Sequence, residues 1–429
     1  MKKLFVTMML CGGLLSASAQ TAREEIGKNV WLAGSNYLDY DRQLPSFNYT
    51  KPPKGYTPFY FSHYGRHGSR WLIGKDDYER VIRPLRKARQ EGKLTREGQE
   101  TLRKLEIFNK TTNRRLGDLT TIGERQHHGI GRRIAQHFPE IFKTKGVAID
   151  ARSTTVNRCI LSMVAECEEL MAANPTARIH NDVSDALQYY LNQRWEGVVK
   201  EEGDKTWPAR HEFAQRNTHP NRLMNVLFND QKWTSDSIDK KTFMIHLFEV
   251  CINMQSHEEG ALDLTKLFTP EEIYDQWRIQ NVGWYVNYGA APLTKGVMPF
   301  SQFNLLTNII ETADTCVQLG KTQATMRFGH EVCVLPLACL MELDSCGVAV
   351  ENLDELDLHW QNYKIYPMGC NIQLIFYKPK KAGGDILVKA LLNEREATLP
   401  VQPTATPYYY KWSDLRAYWK KKLNDFKKQ

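Results

Sequence analysis

Positions 57–64 (TPFYFSHY) form an aromatic, apolar run that Gly65 breaks. The pattern predicts a buried strand opening into the loop Gly65-Arg66-His67-Gly68-Ser69-Arg70. Charged, amphipathic periodicity then predicts helices over 76–90, 95–108 and 120–138. A short apolar stretch, 147–150, predicts a second strand, followed by the polar turn Arg152-Ser153-Thr154 and a helix over 155–172. A third unit repeats this order: strand 325–328, turn Gly329-His330-Glu331, helix 332–343. Its Pro336 is expected near the first turn, where a missing N–H costs least. An amphipathic helix over 301–319 precedes that unit. Strands over 371–377 and 386–391 follow it, and Ser413 is expected to cap a last helix running to Phe426.

Three strand–turn–helix units predict an α/β fold, a central mixed sheet flanked by helices. Ligands of such sheets bind outside the carboxyl ends of the strands, so the three polar turns should face one crevice. Between 175 and 299 the character changes. Tryptophans and amides are frequent, helical periodicity shows at 242–254 and 270–277, and clear strands are scarce. The expected organisation is an α/β catalytic domain from 20–174 and 300–429, interrupted by a smaller, mainly helical domain at 175–299.

The first residues carry a different signal. Lys2 and Lys3 precede an apolar run, 4–15, well short of the roughly 20 residues that span a bilayer. Ala17-Ser18-Ala19 offers small residues for cleavage, so 1–19 reads as a signal peptide and the mature chain as periplasmic or secreted. No later stretch is long and apolar enough for a transmembrane segment. Of nine cysteines, eight remain without Cys11. Export permits disulfides, and eight cysteines allow 105 pairings. Cys159 and Cys167 sit on one expected helix, roughly 12 Å apart along its axis, too far to bond to each other. No CxxC pair or Cys/His ladder suggests zinc.

The composition, 42% hydrophobic and 25% charged, is that of an ordinary globular protein. The formal charge of +8 falls to +6 without Lys2 and Lys3, a modest excess compatible with anionic small substrates. The basic clusters at 378–381 and 420–422 read as solvated faces.

The turns carry the chemistry. The first supplies Arg66, His67 and Arg70, the second Arg152 with Arg158 further along the helix, the third His330 and Glu331. Guanidinium is always charged, and its paired donors match two phosphate oxygens. Among arginines an imidazole is kept neutral, leaving a lone pair with which His67 could attack phosphorus. A leaving alkoxide needs a proton, for which Glu331 is the candidate. His127 and His128 lie on an expected helix and read as surface or supporting residues. His63 reads as packed beneath the site, and Lys51 and Lys54 as solvated loop lysines or contacts for extra phosphates.

Arg66-His67-Gly68-Ser69-Arg70 resembles the RHGxR signature of the histidine acid phosphatases, the phytase branch of the histidine phosphatase superfamily. His330-Glu331 resembles that family's distal His-Asp or His-Glu pair. Arg152-Ser153-Thr154 with Arg158 resembles its arginine-serine-threonine segment, and Leu119-Thr120, Gly123, Gln126 and Gly129 resemble a recurrent LT–G–Q–G pattern. Ser62-His63-Tyr64-Gly65, Val334-Leu335-Pro336-Leu337 and the stretch from Asp385 to Glu394 are similar to the multiple inositol polyphosphate phosphatases. Two positions depart: the distal His and Glu are adjacent, without the intervening residue usual in those enzymes, and Leu72 stands where a proline often follows RHGxR.

The resemblance implies a catalytic pair, His67 as nucleophile and Glu331 as proton donor. It also implies phosphate binding by Arg66, Arg70, Arg152 and His330, no metal or other cofactor, and an α domain inserted between the second and third motifs. The expected partner is a small phosphorylated substrate, an inositol polyphosphate such as phytate, with no nucleic acid. Three rivals stand beside this: a broad acid phosphatase on sugar phosphates or nucleotides, a mutase using the same phosphohistidine, and an inert polyanion-binding protein.

Overall fold

The computed structural model describes residues 21–258, 262–381 and 383–428. The expected signal peptide lies outside the described residues. Among the described residues no helix is long and apolar enough to cross a membrane.

The core is one mixed sheet. Its strands are β1 (Tyr56–Arg66), β2 (Ala148–Ser153), β3 (Arg178–Val183), β4 (Gln323–Gly329), β5 (Asn371–Pro379), β6 (Leu387–Leu392), β7 (Arg395–Ala397) and β8 (Tyr410–Lys411). The order is β3-β2-β4-β1-β5-β6-β7, with β8 also paired to β6. β3, β2, β4 and β1 run parallel, and β5 onward is antiparallel. Register puts Arg66 beside Gly329, and Ser153 beside Phe328. The carboxyl ends of β1, β2 and β4 therefore finish together.

The alternation along the strands feeds two cores. On one face Phe61, Ile149, Met326 and Phe328 pack against Ile130, Ile134 and Met163 of the helices Thr121–His137 and Asn157–Ala173. On the other, Tyr60, Tyr64, Leu374 and Phe376 pack against the helices Phe303–Leu319, Glu331–Met341 and Trp412–Phe426. Each large side chain so buried contributes about 1.5–3 kcal/mol. A third cluster joins the helices Glu79–Gln90 and Arg96–Thr111 to residues of the helices Asn221–Leu227, Lys240–Asn253 and Pro270–Tyr288.

Four local expectations are corrected. β2 runs three residues further than expected, so Arg152 and Ser153 belong to the strand. β3 falls inside the stretch expected to be helical, as a largely polar edge strand. Pro336 is the sixth residue of its helix, and the Gln302 side chain donates to the carbonyl of Val332 that the proline cannot serve, at 3.5 Å. Ser413 lies inside the last helix, whose N-cap is Lys411. All eight cysteines beyond Cys11 are buried free thiols, Cys159 and Cys167 included.

Candidate active site

The strand ends deliver the site. His67 N donates to Gly329 O at 3.0 Å, and Thr154 N to Phe328 O at 3.0 Å, so the three turns are tied side by side. The first turn sits tightly against the helix Thr121–His137: a Cβ on Gly68 would lie 2.3 Å from Gly123 O, and one on Gly123 would lie 2.2 Å from Ser69 O. Thr120 accepts from Gly123 N at the helix start and donates to Ser69 O, while Gln126 accepts from Ser69 N at 2.9 Å. The LT–G–Q spacing is thus the mould of the nucleophile loop. Gly68 N donates to Ser162 Oγ at 3.1 Å, which fixes the loop from its other side.

His67 is 1% exposed. Its Nδ1 lies 2.8 Å from Gly68 O. A carbonyl only accepts, so Nδ1 carries the hydrogen and the Nε2 lone pair is free. Nε2 faces Glu331 Oε2 at 3.7 Å. Burial first, then Arg66, Arg158, Arg70 and His330, hold the imidazole neutral well below its ordinary range. His330 is pulled to about 4, by burial before all else, against the opposing Glu331. Its Nε2 lies 3.3 Å from Thr154 Oγ1.

Three guanidiniums surround the pair. Arg66 Nη1 donates to Asn36 O and Tyr366 O at 2.6 and 3.1 Å, and its Nε lies 3.0 Å from Glu331 Oε2. Arg70 Nη1 donates to Trp71 O, and Arg158 Nη1 to Gly117 O. Each is anchored through Nη1 on main-chain carbonyls, and buried donors remain unpartnered: Arg66 Nη2, Arg70 Nε and Arg158 Nε. Burial and the neighbouring Arg70 lower the Arg158 guanidinium. Glu331 is ionised: burial opposes this, but the Arg66 and Arg70 guanidiniums outweigh it and hold the carboxyl at about 2. With both imidazoles neutral, three cations less one carboxylate leave a buried charge of +2, the complement of a dianion. One ligating atom each from His67, His330 and Glu331 lies within 4.8 Å of the others. The flanking arginines oppose a cation there and favour an anion.

Arg152 is not brought to this cluster. It points from β2 to the face of Asp150, with Nη2 2.8 Å from Asp150 Oδ2 and Nη1 donating to the Tyr190 hydroxyl at 3.2 Å. Arg158, at the start of the next helix, occupies the place expected for it. The signal was present in the sequence, six residues on. Lys51 and Lys54 are exposed and precede β1, roughly 35 Å of strand from the site. His63 and His127 are buried on either side of Glu166: His127 Nδ1 lies 2.7 Å from Glu166 Oε1, and His63 Nε2 4.0 Å from Oε2. His128 is partly exposed and pairs with Glu169.

A neutral imidazole nitrogen faces a carboxylate among three guanidiniums, an arrangement suited to a phosphate dianion. The chain belongs to the histidine phosphatase superfamily, branch 2, whose family model matches residues 65–393. It is a phosphoric monoester hydrolase of that family. Its fold is similar to that of the multiple inositol polyphosphate phosphatase of Bifidobacterium longum, solved in complex with phosphate: TM-score 0.74 at 17% identity, covering 91% of this chain and 97% of that one. The D. castellii phytase superposes with TM-score 0.66 at 14% identity, over 96% of this chain and 90% of that one. Hafnia alvei phytase in complex with tartrate gives 0.53 at 11% identity, over 86% and 98%. No curated protein matches the sequence.

Proposed function

We propose that this phosphatase is exported, acts on inositol polyphosphates including phytate, and works through a phosphohistidine on His67. The carrying observation is the free Nε2 of a neutral His67, set in a buried charge of +2 and 3.7 Å from a carboxyl.

The substrate phosphate enters as a dianion among Arg66, Arg70, Arg158 and His330. His67 Nε2 forms the N–P bond as the P–O bond to the leaving alkoxide breaks, and Glu331 supplies that alkoxide's proton. Glu331, then a carboxylate, takes a proton from the attacking water, and the water oxygen displaces His67 from phosphorus. The arginines neutralise the equatorial oxygens throughout, which is most of what phosphoryl transfer requires. Arg152 has no step in this scheme.

For the substrate, support comes from the fold shared with the B. longum enzyme, which has also been solved in complex with inositol hexasulfate. The lysines, short apolar run and small residues that read as a signal peptide at 1–19 support export. The stretch from the end of β3 to 299 serves in this reading as the inserted, mainly helical domain, and the sheet, β3 included, belongs to the catalytic one.

The test is phosphate release from phytate by the mature protein and by His67→Ala, with rapid denaturation and mass spectrometry of the His67 peptide. Release by the wild type alone, with a phosphorylated His67 peptide, is expected. Release by His67→Ala at more than a small fraction of the wild-type rate would refute the nucleophile.

A further inference from the structure

One wall of the site has chemistry that no step above uses. Leu191 O accepts from the Tyr64 hydroxyl at 2.8 Å and would lie 3.2 Å from a Cβ on Gly329, so the chain after Leu191 starts against the turn carrying His330. The helix Pro270–Tyr288 presents Trp284 and Tyr288, four residues apart and hence on one face, towards the same place. The Trp284 ring packs on Tyr366 at 4.9 Å, and Tyr366 O is one of the anchors of Arg66. Tyr288 packs between Trp284 at 5.1 Å and Trp195 at 6.2 Å. Burial first, and then Glu331, push its phenol up.

Two side chains on the elements around this wall keep buried polar atoms without partners. Gln302, 1% exposed, uses Nε2 on Val332 O in the first turn of the Glu331 helix and leaves Oε1 unserved. Arg210 N donates to Thr206 O at 3.2 Å, and the Thr206 hydroxyl donates to Asn287 Oδ1 at 2.8 Å, which ties Arg210 to the end of the helix that carries Tyr288; its Nε is buried and unserved, and among the described residues it has no acidic partner. A half-buried guanidinium without a carboxylate, behind an aromatic face, is suited to an anion from elsewhere.

We propose that this wall is the leaving-group site: Tyr288 and Trp284 take the C–H face of a phosphorylated polyol ring, and Arg210 takes a second phosphate on that ring. The inference rests on the phosphatase reading above and names the residues that select its substrate. A monophosphate ester with a flat aryl leaving group has nothing for Arg210 to hold. A ring carrying further phosphates does.

The experiment compares steady-state kinetics on phytate and on p-nitrophenyl phosphate for the wild type, Arg210→Gln and Arg210→Lys. Losing one charge-assisted contact should lower kcat/KM for phytate relative to the aryl ester by about ten- to a hundredfold in Arg210→Gln, mainly through KM. Arg210→Lys, which keeps the charge, should recover part of that ratio. An unchanged ratio in Arg210→Gln would overturn the proposal, whether both substrates are slowed equally or neither is. Failure of the underlying reading would show separately, as a wild type that turns over neither substrate.

Discussion

Glu331 is the proton donor of the proposed cycle, yet the arginines, against burial, hold its carboxyl at about 2. At pH 5 only about one molecule in a thousand would then carry the proton. The substrate itself supplies the remedy. A unit negative charge about 4 Å away, at an effective dielectric of about 20, is worth about 4 kcal/mol, or roughly a thousandfold in proton affinity. A dianion seated among Arg66, Arg70 and Arg158 offers up to twice that energy. Binding should therefore load the carboxyl with its proton, and affinity for a dianion should strengthen as pH falls.

Sulfate is the suitable probe, because it stays a dianion throughout the mildly acidic range and brings no proton of its own. Titration calorimetry at pH 5, in buffers of differing ionisation enthalpy, gives the number of protons taken up per sulfate bound. His67 and His330, both held below their ordinary range, can also take up protons when the anion arrives. The difference between wild type and Glu331→Gln isolates the carboxyl. That difference should be about one proton. Equal uptake by the two proteins would mean that Glu331 stays ionised beneath the anion, and would remove it from the donor role.

Two further outcomes test the placement of side chains. Arg158→Ala should lower kcat/KM about ten- to a hundredfold, the worth of a lost charge-assisted contact, while Arg152→Ala, bound to Asp150 and Tyr190, should change it by less than about threefold. Steady-state kinetics that reversed this order would return Arg152 to the site. Glu166→Ala should cost about 3 kcal/mol in urea unfolding, because it leaves the buried His63 and His127 facing each other without their shared carboxylate. A loss below about 1 kcal/mol would show that the two imidazoles are satisfied another way.

What the sequence made legible was whatever a strand end carries with it. His67 follows β1 directly and His330 follows β4, so finding the strands was enough to find both, and Arg66 and Glu331 come as their neighbours. Arg152 shows where this stops. A strand ending at Asp150 would leave Arg152 in a turn aimed at the crevice. A strand running to Ser153 fixes Arg152 to one face of the sheet, beside Asp150, and passes the role to the next helix. Residues two apart in a strand share a face, so a boundary error of three residues decides which arginine is expected beside His67. β3 was invisible for another reason: Arg178, His180, Asn181 and Asp182 give it no apolar alternation, because an edge strand needs little.

The ionisation of Glu331 was beyond any local reading as well. Its helix start and its burial are local, and burial alone would have kept it protonated. The charge that reverses this belongs to Arg66 and Arg70, more than 250 residues earlier in the chain. In the His67 loop the motif is also separated from its cause, by 51 residues between Thr120 and Ser69. Thr120, Gly123 and Gln126 form a readable spacing, but the reason for it is a backbone approach to Gly68 and Ser69 that only the folded chain brings about. A side chain at Gly123 would displace Ser69 and with it the turn that aims His67. The glycine therefore belongs to the chemistry of the site, although it touches no substrate.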